Sequence, residues 1–144
     1  MKINFTKEQY ETLIKIVYMG NGIVNAVDES SEDNEFTAME EYIFSFAKNV
    51  GLEHLVDHDE TENKYYPSEK LEEDEEIIEY IQSYDDNIFW EKLIFNLTRR
   101  DMENKYGIET VEKMSDEEGF AKGQPIAEKY EKEFSKNGLT NLKI

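Results

Sequence analysis

The order of apolar and polar positions along the chain predicts a mostly α-helical protein. Over residues 6–27 apolar side chains recur on one helical face, and Thr6 with Gln9 has the capping-box spacing of a helix start. A second amphipathic pattern covers residues 36–50 and ends at Gly51, a residue type that commonly follows the last turn of a helix. We therefore expect two helices in the first third of the chain.

Two further helices are expected in the middle of the chain. The first begins near Ser68 with a run of acidic residues, which suit the positive end of a helix dipole. The second is capped by Asp85 or Asp86 and stops at Gly107. Its apolar residues fall on two opposite sides, so we expect a central helix packed between two neighbours, with Trp90 largely buried.

The end of the chain predicts a short helix, a kink and a last helix. Ser115 and Glu118 have the capping-box spacing, Gly123 and Pro125 interrupt the pattern that follows, and Gly138 ends it.

Two smaller features complete the expected fold. Gly20 and Gly22 lie inside the first helical pattern, and we expect another backbone to pack closely there. The termini alternate in the manner of strands, at Ile3 and Phe5 and at Leu142 and Ile144, so we expect them to pair as a small β-ribbon. The predicted fold class is mostly α, a compact bundle of about five helices in a single acidic domain over residues 1–144.

Composition narrows the class of protein. The chain has 144 residues, of which 38% are apolar and 12% aromatic, which is enough to build a core. It has no cysteine, which excludes disulfides, a thiolate nucleophile and cysteine-based metal sites. The N-terminus becomes charged too early for a signal peptide, and no apolar run approaches the roughly 18 residues of a membrane span. We expect a cytoplasmic protein without membrane contact.

The negative charge is concentrated in one block of the sequence. The net charge is −18, and residues 28–86 carry 21 acidic residues against Lys48, Lys64 and Lys70, while the flanking segments are nearly neutral. Such a field repels phosphate backbones and anionic lipids, so direct nucleic-acid binding is not expected. A basic protein partner is favoured instead.

Tyrosines inside the acidic block suit a recognition surface, because an aromatic ring supplies contact area and carboxylates supply steering. Completion of the core is an equally ordinary role for tyrosine. The predicted partner-binding residues are Tyr65, Tyr66, Glu72, Glu73, Asp74, Glu75, Glu76 and Tyr80.

A metal site is the alternative interpretation of the same block. Residues 52–68 lose the helical pattern and are expected to be irregular and exposed. The candidate ligands there are His54, Asp57, His58 and Asp59. The run from Asp57 to Asn63 also resembles the start of an EF-hand calcium loop, but Glu62 replaces its glycine and Ser68 its closing glutamate. Solvated histidines are the simpler interpretation, and no cofactor is expected.

These observations favour a non-enzymatic acidic protein that binds a basic partner. Immunity proteins, antitoxin-like inhibitors and mimics of nucleic-acid charge are examples of this class. The alternatives are an enzyme that uses a divalent metal near His54, and a housekeeping domain whose acidity only supports solubility. The sequence contains no glycine-rich phosphate loop, nucleophile elbow or His-Glu-x-x-His motif.

Overall fold

A computed structural model describes residues 2–27 and 34–142 of the chain. Of these residues 75% are helical, which confirms the mostly α fold class. The described helices are α1 (Lys7–Val27), α2 (Glu35–Phe44), α3 (Glu69–Glu72), α4 (Glu75–Tyr106), α5 (Ile108–Glu112) and α6 (Asp116–Asn137). Two short 3-10 helices (Ala47–Val50 and Glu53–Leu55) precede the strands β1 (Val56–Asp59) and β2 (Lys64–Pro67).

The chain divides into two compact units, and the division falls inside α4. The first unit ends at Gln82 and the second begins at Ser83. The expectation of one domain over residues 1–144 stays a prediction, because compactness does not measure whether the units unfold together.

The start of α1 is the predicted capping box. The Thr6 backbone N–H donates to Gln9 Oε1 at 2.9 Å, and the Gln9 backbone N–H donates to Thr6 Oγ1 at 3.2 Å. The expected close packing at Gly20 and Gly22 is wrong, because a Cβ atom at either position would meet nothing within 4 Å. The helix passes through both glycines without a break.

The first unit has its own hydrophobic core, in which α1 packs against α2. Its most deeply buried large side chains come from five separate parts of the unit: Ile14, Phe44, Leu52, Leu71 and Ile77. The predicted helix over residues 36–50 ends earlier than expected, at Phe44, and a 3-10 helix follows before Gly51. Gly51 adopts the left-handed conformation, with φ of 71°, and caps that 3-10 helix.

Residues 56–67 form a hairpin, so the expectation of an irregular segment is wrong, whereas most of its residues are exposed as expected. β1 pairs antiparallel with β2, in a register that joins Val56 to Pro67 and Asp59 to Lys64. Leu55 is buried beside the hairpin and anchors it to the core. The ribbon therefore lies inside the chain rather than between the termini, where residues 2–5 form no strand. Residues 143–144 lie outside the described residues.

The middle of the chain contains a short helix and a long one, which divide before Glu75 and not at Asp85 or Asp86 as expected. Ser68 caps the short helix α3, and the Asp74 carboxylate accepts backbone N–H groups at the start of α4. α4 then continues through Asp85 and Asp86 to Tyr106. Neither aspartate breaks the helix. A residue type that favours capping does not interrupt a helix unless glycine, proline or tertiary packing also interrupts the backbone there.

The second unit packs the later turns of α4 against α6. The Tyr130 hydroxyl donates to Asp101 Oδ2 at 2.6 Å, and the Trp90 ring lies 5.5 Å from the Phe134 ring. The close approach of two helices occurs at Gly123, where a Cβ atom would lie 3.2 Å from the Met102 sulfur.

Two predictions for the second unit need correction. α6 is a single helix that contains Pro125, so the separate short helix that was expected is not formed. α6 contacts α4 on both sides of the proline, at Gly123 and at Tyr130. Trp90 is mostly buried as expected, but Phe89 and Phe95 on opposite sides of α4 are exposed, so this helix is not enclosed by two neighbours. Ser115 caps α6 as predicted.

Candidate functional site

A groove lies between α1 and the first turns of α4 in the first unit. It encloses about 430 Å³, and we call it the acidic groove. Apolar side chains form its floor and carboxylates part of its rim: Ile16, Met19, Ile77, Glu8, Glu11 and Glu76. Ile16 is 55% exposed and Tyr80, at one end, is 62% exposed, so both are available to a partner.

The lysine that lines the groove is neutralised by two carboxylates. Lys15 Nζ lies 2.8 Å from Asp74 Oδ2 and 2.9 Å from Glu76 Oε2. The hydrogen bond to Asp74 is the main cause of a raised Lys15 pKa, and the same bond lowers the Asp74 pKa. Lys15 and Asp74 therefore stay ionised near neutral pH. With two carboxylates beside one ammonium group, the formal charge of this cluster is negative.

The first turns of α1 add to this charge. Backbone hydrogen bonding, with help from Thr6, lowers the pKa of Glu8, so this carboxyl stays ionised. Glu11 lines the groove one turn further along. The acidic groove therefore combines an apolar floor with a negative rim.

The predicted partner-binding residues separate into three groups. Glu76 and Tyr80 line the acidic groove, and Asp74 lies beside it through Lys15. The three glutamates of the second group are exposed at the end of α3 and the start of α4: Glu72, Glu73 and Glu75.

The two tyrosines of the hairpin form the third group and lie outside the groove. Tyr65 is partly buried against the core and its ring stacks on His58, with 4.4 Å between ring centroids. Tyr66 is exposed and its hydroxyl donates to Glu62. The structure therefore distributes the predicted partner-binding residues over three places, and their role in binding stays a prediction.

The contribution of α1 was missed by the sequence analysis. The segment that contains Glu8, Glu11 and Met19 has a net charge near zero, so the charge pattern did not predict a site there. Ile16 carried the available signal, because it is a large apolar residue that lies outside the buried face of Tyr10 and Ile14.

The candidate metal ligands do not form the arrangement that the sequence hypothesis required. His54 lies in a 3-10 helix, whereas Asp57, His58 and Asp59 lie in β1, so the helical spacing is wrong. Successive side chains of a strand point to opposite faces, which separates His58 from both aspartates. Within residues 2–27 and 34–142 no three His, Cys, Asp or Glu side chains group in a way that could hold a metal ion.

Asp59 has a structural task instead. Its Oδ1 atom accepts the backbone N–H of Thr61 at 2.7 Å and that of Glu62 at 3.2 Å, which stabilises the hairpin turn. Asn63 completes the turn with a positive φ of 54°, a conformation that asparagine tolerates. The resemblance to a calcium loop thus reflects turn chemistry.

Comparison with known protein families, curated proteins and solved structures finds no match to this chain. Among the helices described, none has the length and apolar character needed to cross a membrane.

Proposed function

We propose that this protein is a non-enzymatic binding protein whose first unit takes up a basic segment of a partner protein. The acidic groove carries the proposal, because its lining exposes Ile16 and Tyr80. The lysine in that lining is already paired with Asp74 and Glu76. A segment with lysine or arginine beside an apolar residue matches both features. Immunity proteins, antitoxin-like inhibitors and mimics of nucleic-acid charge are the protein classes that work in this way.

Charge around the groove supports fast and selective association. Residues 28–86 carry the whole excess of negative charge, and Glu72, Glu73 and Glu75 are exposed within a few residues of the groove. A coherent field of this kind raises association rates and acts over about 8–10 Å at physiological salt. The acidic surface therefore selects basic partners before contact.

Apolar contact then holds the partner in place. Ile16 and Tyr80 are both more than half exposed at the groove, and a central apolar anchor beside an aromatic ring is typical of residues that dominate binding energy. Carboxylates at the rim add less affinity, because exposed charge pairs are worth about 0–1 kcal/mol each.

The electrostatic part of the proposal is tested with a charge-reduced variant. Glu72, Glu73 and Glu75 are replaced by Gln, which leaves Glu76 to hold Lys15. Association of a labelled basic peptide with leucine at its centre is followed by stopped-flow anisotropy between about 0.05 and 0.5 M salt. We expect a severalfold slower association for the variant at low salt, little change in dissociation, and convergence of the two proteins at high salt.

A matched control removes the same charge from the second unit. Glu91, Glu109 and Glu117 are exposed there, and their replacement by Gln should leave peptide association nearly unchanged. Equal slowing by both variants would mean that only net charge matters, and the solubility interpretation would then replace this proposal.

The groove itself is tested by Ile16→Arg. Because Ile16 is mostly exposed, this change should leave the fold intact while placing a positive charge on the groove floor. We expect at least tenfold weaker peptide binding, equivalent to about 1.4 kcal/mol. Unchanged affinity would show that the peptide binds elsewhere.

A further inference from the structure

The second unit contains a larger groove, bounded by α4, α5 and α6. It encloses about 840 Å³, and we call it the long groove. The residues that α6 contributes follow a helical repeat over four turns: Asp116, Gly119, Phe120, Gly123, Gln124, Ala127, Glu128 and Glu131. At 1.5 Å per residue this stripe is roughly 22 Å long. A stripe of that length indicates an elongated occupant.

Two large apolar side chains in the lining of the long groove are exposed. Phe95 on α4 is 64% exposed and Phe120 on α6 is 69% exposed, although both are large aromatic residues. Met114 also lines the groove and is partly exposed, and the flexible methionine side chain adapts to the shape of a binding partner, whereas Met102 is buried beneath the groove. An exposed surface of this composition is typical of protein-interaction sites.

Acidic side chains lie toward both ends of the α6 stripe. Asp116 begins the stripe, whereas Glu128 and Glu131 end it. Arg99 also lines the groove, but its Nε atom is 2.7 Å from Glu103 Oε1, so its charge is already compensated. The charge of the long groove therefore complements basic residues placed on either side of an apolar surface.

We propose that the long groove binds an amphipathic α-helix of a partner protein. The helix lies along α6 with its apolar face toward Phe95 and Phe120, and its lysine or arginine residues reach the acidic ends. In recognition of this kind the bound helix carries its apolar anchors at i, i+3, i+4 and i+7. The site belongs to the second unit and is independent of the function proposed for the acidic groove.

Gly119 offers a direct way to block the site. A Cβ atom at Gly119 meets nothing within 4 Å, so a larger side chain projects into the groove without disturbing the fold. Gly119→Leu should therefore occupy the space that a partner helix needs. Gly20→Leu is the matched control, because a Cβ atom at Gly20 in α1 also meets nothing within 4 Å.

The test uses a synthetic helical peptide with leucine on one face and lysine beside it. A second peptide of equal composition, in which leucine and lysine alternate, cannot form the same apolar face. Binding is followed through the methyl NMR signals of ¹³C-labelled methionine. Met102 and Met114 report on the long groove, Met19 reports on the acidic groove, and Met39 lies in neither groove.

We expect the helical peptide to shift the Met102 and Met114 signals, and the alternating peptide to shift them at least tenfold less strongly at equal concentration. Gly119→Leu should weaken binding of the helical peptide at least tenfold, measured at these two methionines, whereas Gly20→Leu should leave its binding unchanged. Phe120→Ala removes an exposed side chain and should weaken binding of the helical peptide severalfold. It serves as a second variant if Gly119→Leu does not fold.

The outcomes separate the two proposals. If only Met19 responds, the long groove is not a helix-binding site and the proposal for the acidic groove stands. The inference is overturned if both Gly119→Leu and Phe120→Ala bind the helical peptide as tightly as the parent protein does, measured at Met102 and Met114. It is also overturned if these two signals respond equally to both peptides. If they respond as expected while Met19 is silent, the long groove is supported and the acidic groove is not.

Discussion

Asn21 on α1 donates a hydrogen bond of 2.8 Å to Glu40 on α2, and both side chains are buried. The Asn21 side-chain oxygen in turn accepts the Thr37 hydroxyl at 3.1 Å and the Asn25 amide at 3.3 Å. A polar cluster thus connects the two helices inside the core of the first unit. Such clusters make the register between helices specific, because a shifted register would leave buried polar groups unpaired.

Glu40 makes the stability of the first unit depend on pH. Burial raises the Glu40 pKa from 4.5 to about 7, the Asn21 hydrogen bond opposes that rise, and Glu41 adds to it. Burial is the main cause of the raised pKa of Tyr18 on α1, and the charges of Glu72 and Glu40 add to it. Because the folded state holds the Glu40 proton more tightly than the unfolded chain does, this contribution is complete below about pH 4.5 and is lost as the pH rises through about 7.

Glu40→Gln should therefore stabilise the protein at pH 8. Glutamine keeps an oxygen that can accept from Asn21 and has no charge to bury, so we expect a gain of up to about 3 kcal/mol at pH 8 and a smaller gain at pH 5. Urea unfolding followed by circular dichroism measures both values. Glu41→Gln is the control on the same helix, and parallel pH profiles for Glu40→Gln and the parent would contradict the prediction.

Thr98→Val should stabilise the second unit by about 1 kcal/mol. The Thr98 hydroxyl oxygen is buried without a hydrogen-bond partner, and valine has nearly the same shape without the unpaired hydroxyl. Urea unfolding followed by the fluorescence of Trp90 measures the change. Thr12→Val should bring no gain, because the Thr12 hydroxyl already donates to the Glu8 carbonyl. A loss of stability in Thr98→Val would mean that this hydroxyl has a partner in solution.

Gly119 and Gly123 should respond in opposite ways to a side chain, although both lie on α6. Gly119→Ala should stabilise the second unit by about 1 kcal/mol, because alanine favours the helix and the added methyl meets open space. Gly123→Val should destabilise it by about 1–3 kcal/mol, because its Cβ atom would lie 3.2 Å from the Met102 sulfur and 3.5 Å from Thr98 Cγ2. Trp90 fluorescence during urea unfolding distinguishes the two. Similar values for both variants would place the contact between α4 and α6 elsewhere.

Metal ions should leave the folded state unaffected. His58 stacks on Tyr65, and Asp59 is occupied with the hairpin turn, so neither is arranged as a ligand. Thermal unfolding curves recorded with a chelator, with calcium and with zinc should overlap. An upward shift of many degrees at one equivalent of metal would restore the metal-site interpretation.

The sequence by itself determined the helical class and many of the local boundaries. Thr6 and Ser115 start helices because their side chains accept backbone N–H groups that lie within three residues, and Gly107 stops one because it adopts a φ of 86°. Each of these helix boundaries depends on residues that are close together in the chain. The concentration of negative charge in one block was also visible in the sequence alone.

Tertiary structure decided the features that join distant residues. Sequence spacing placed a close packing contact at Gly20, whereas the contact lies at Gly123, because only the path of α4 brings Met102 to that point. The pairing of Lys15 with Asp74 joins residues far apart in the chain, and it converts a nearly neutral helix into one wall of an acidic groove. A local pattern contains the propensity of each segment, but not which segments meet, since that depends on how all the apolar faces are buried together.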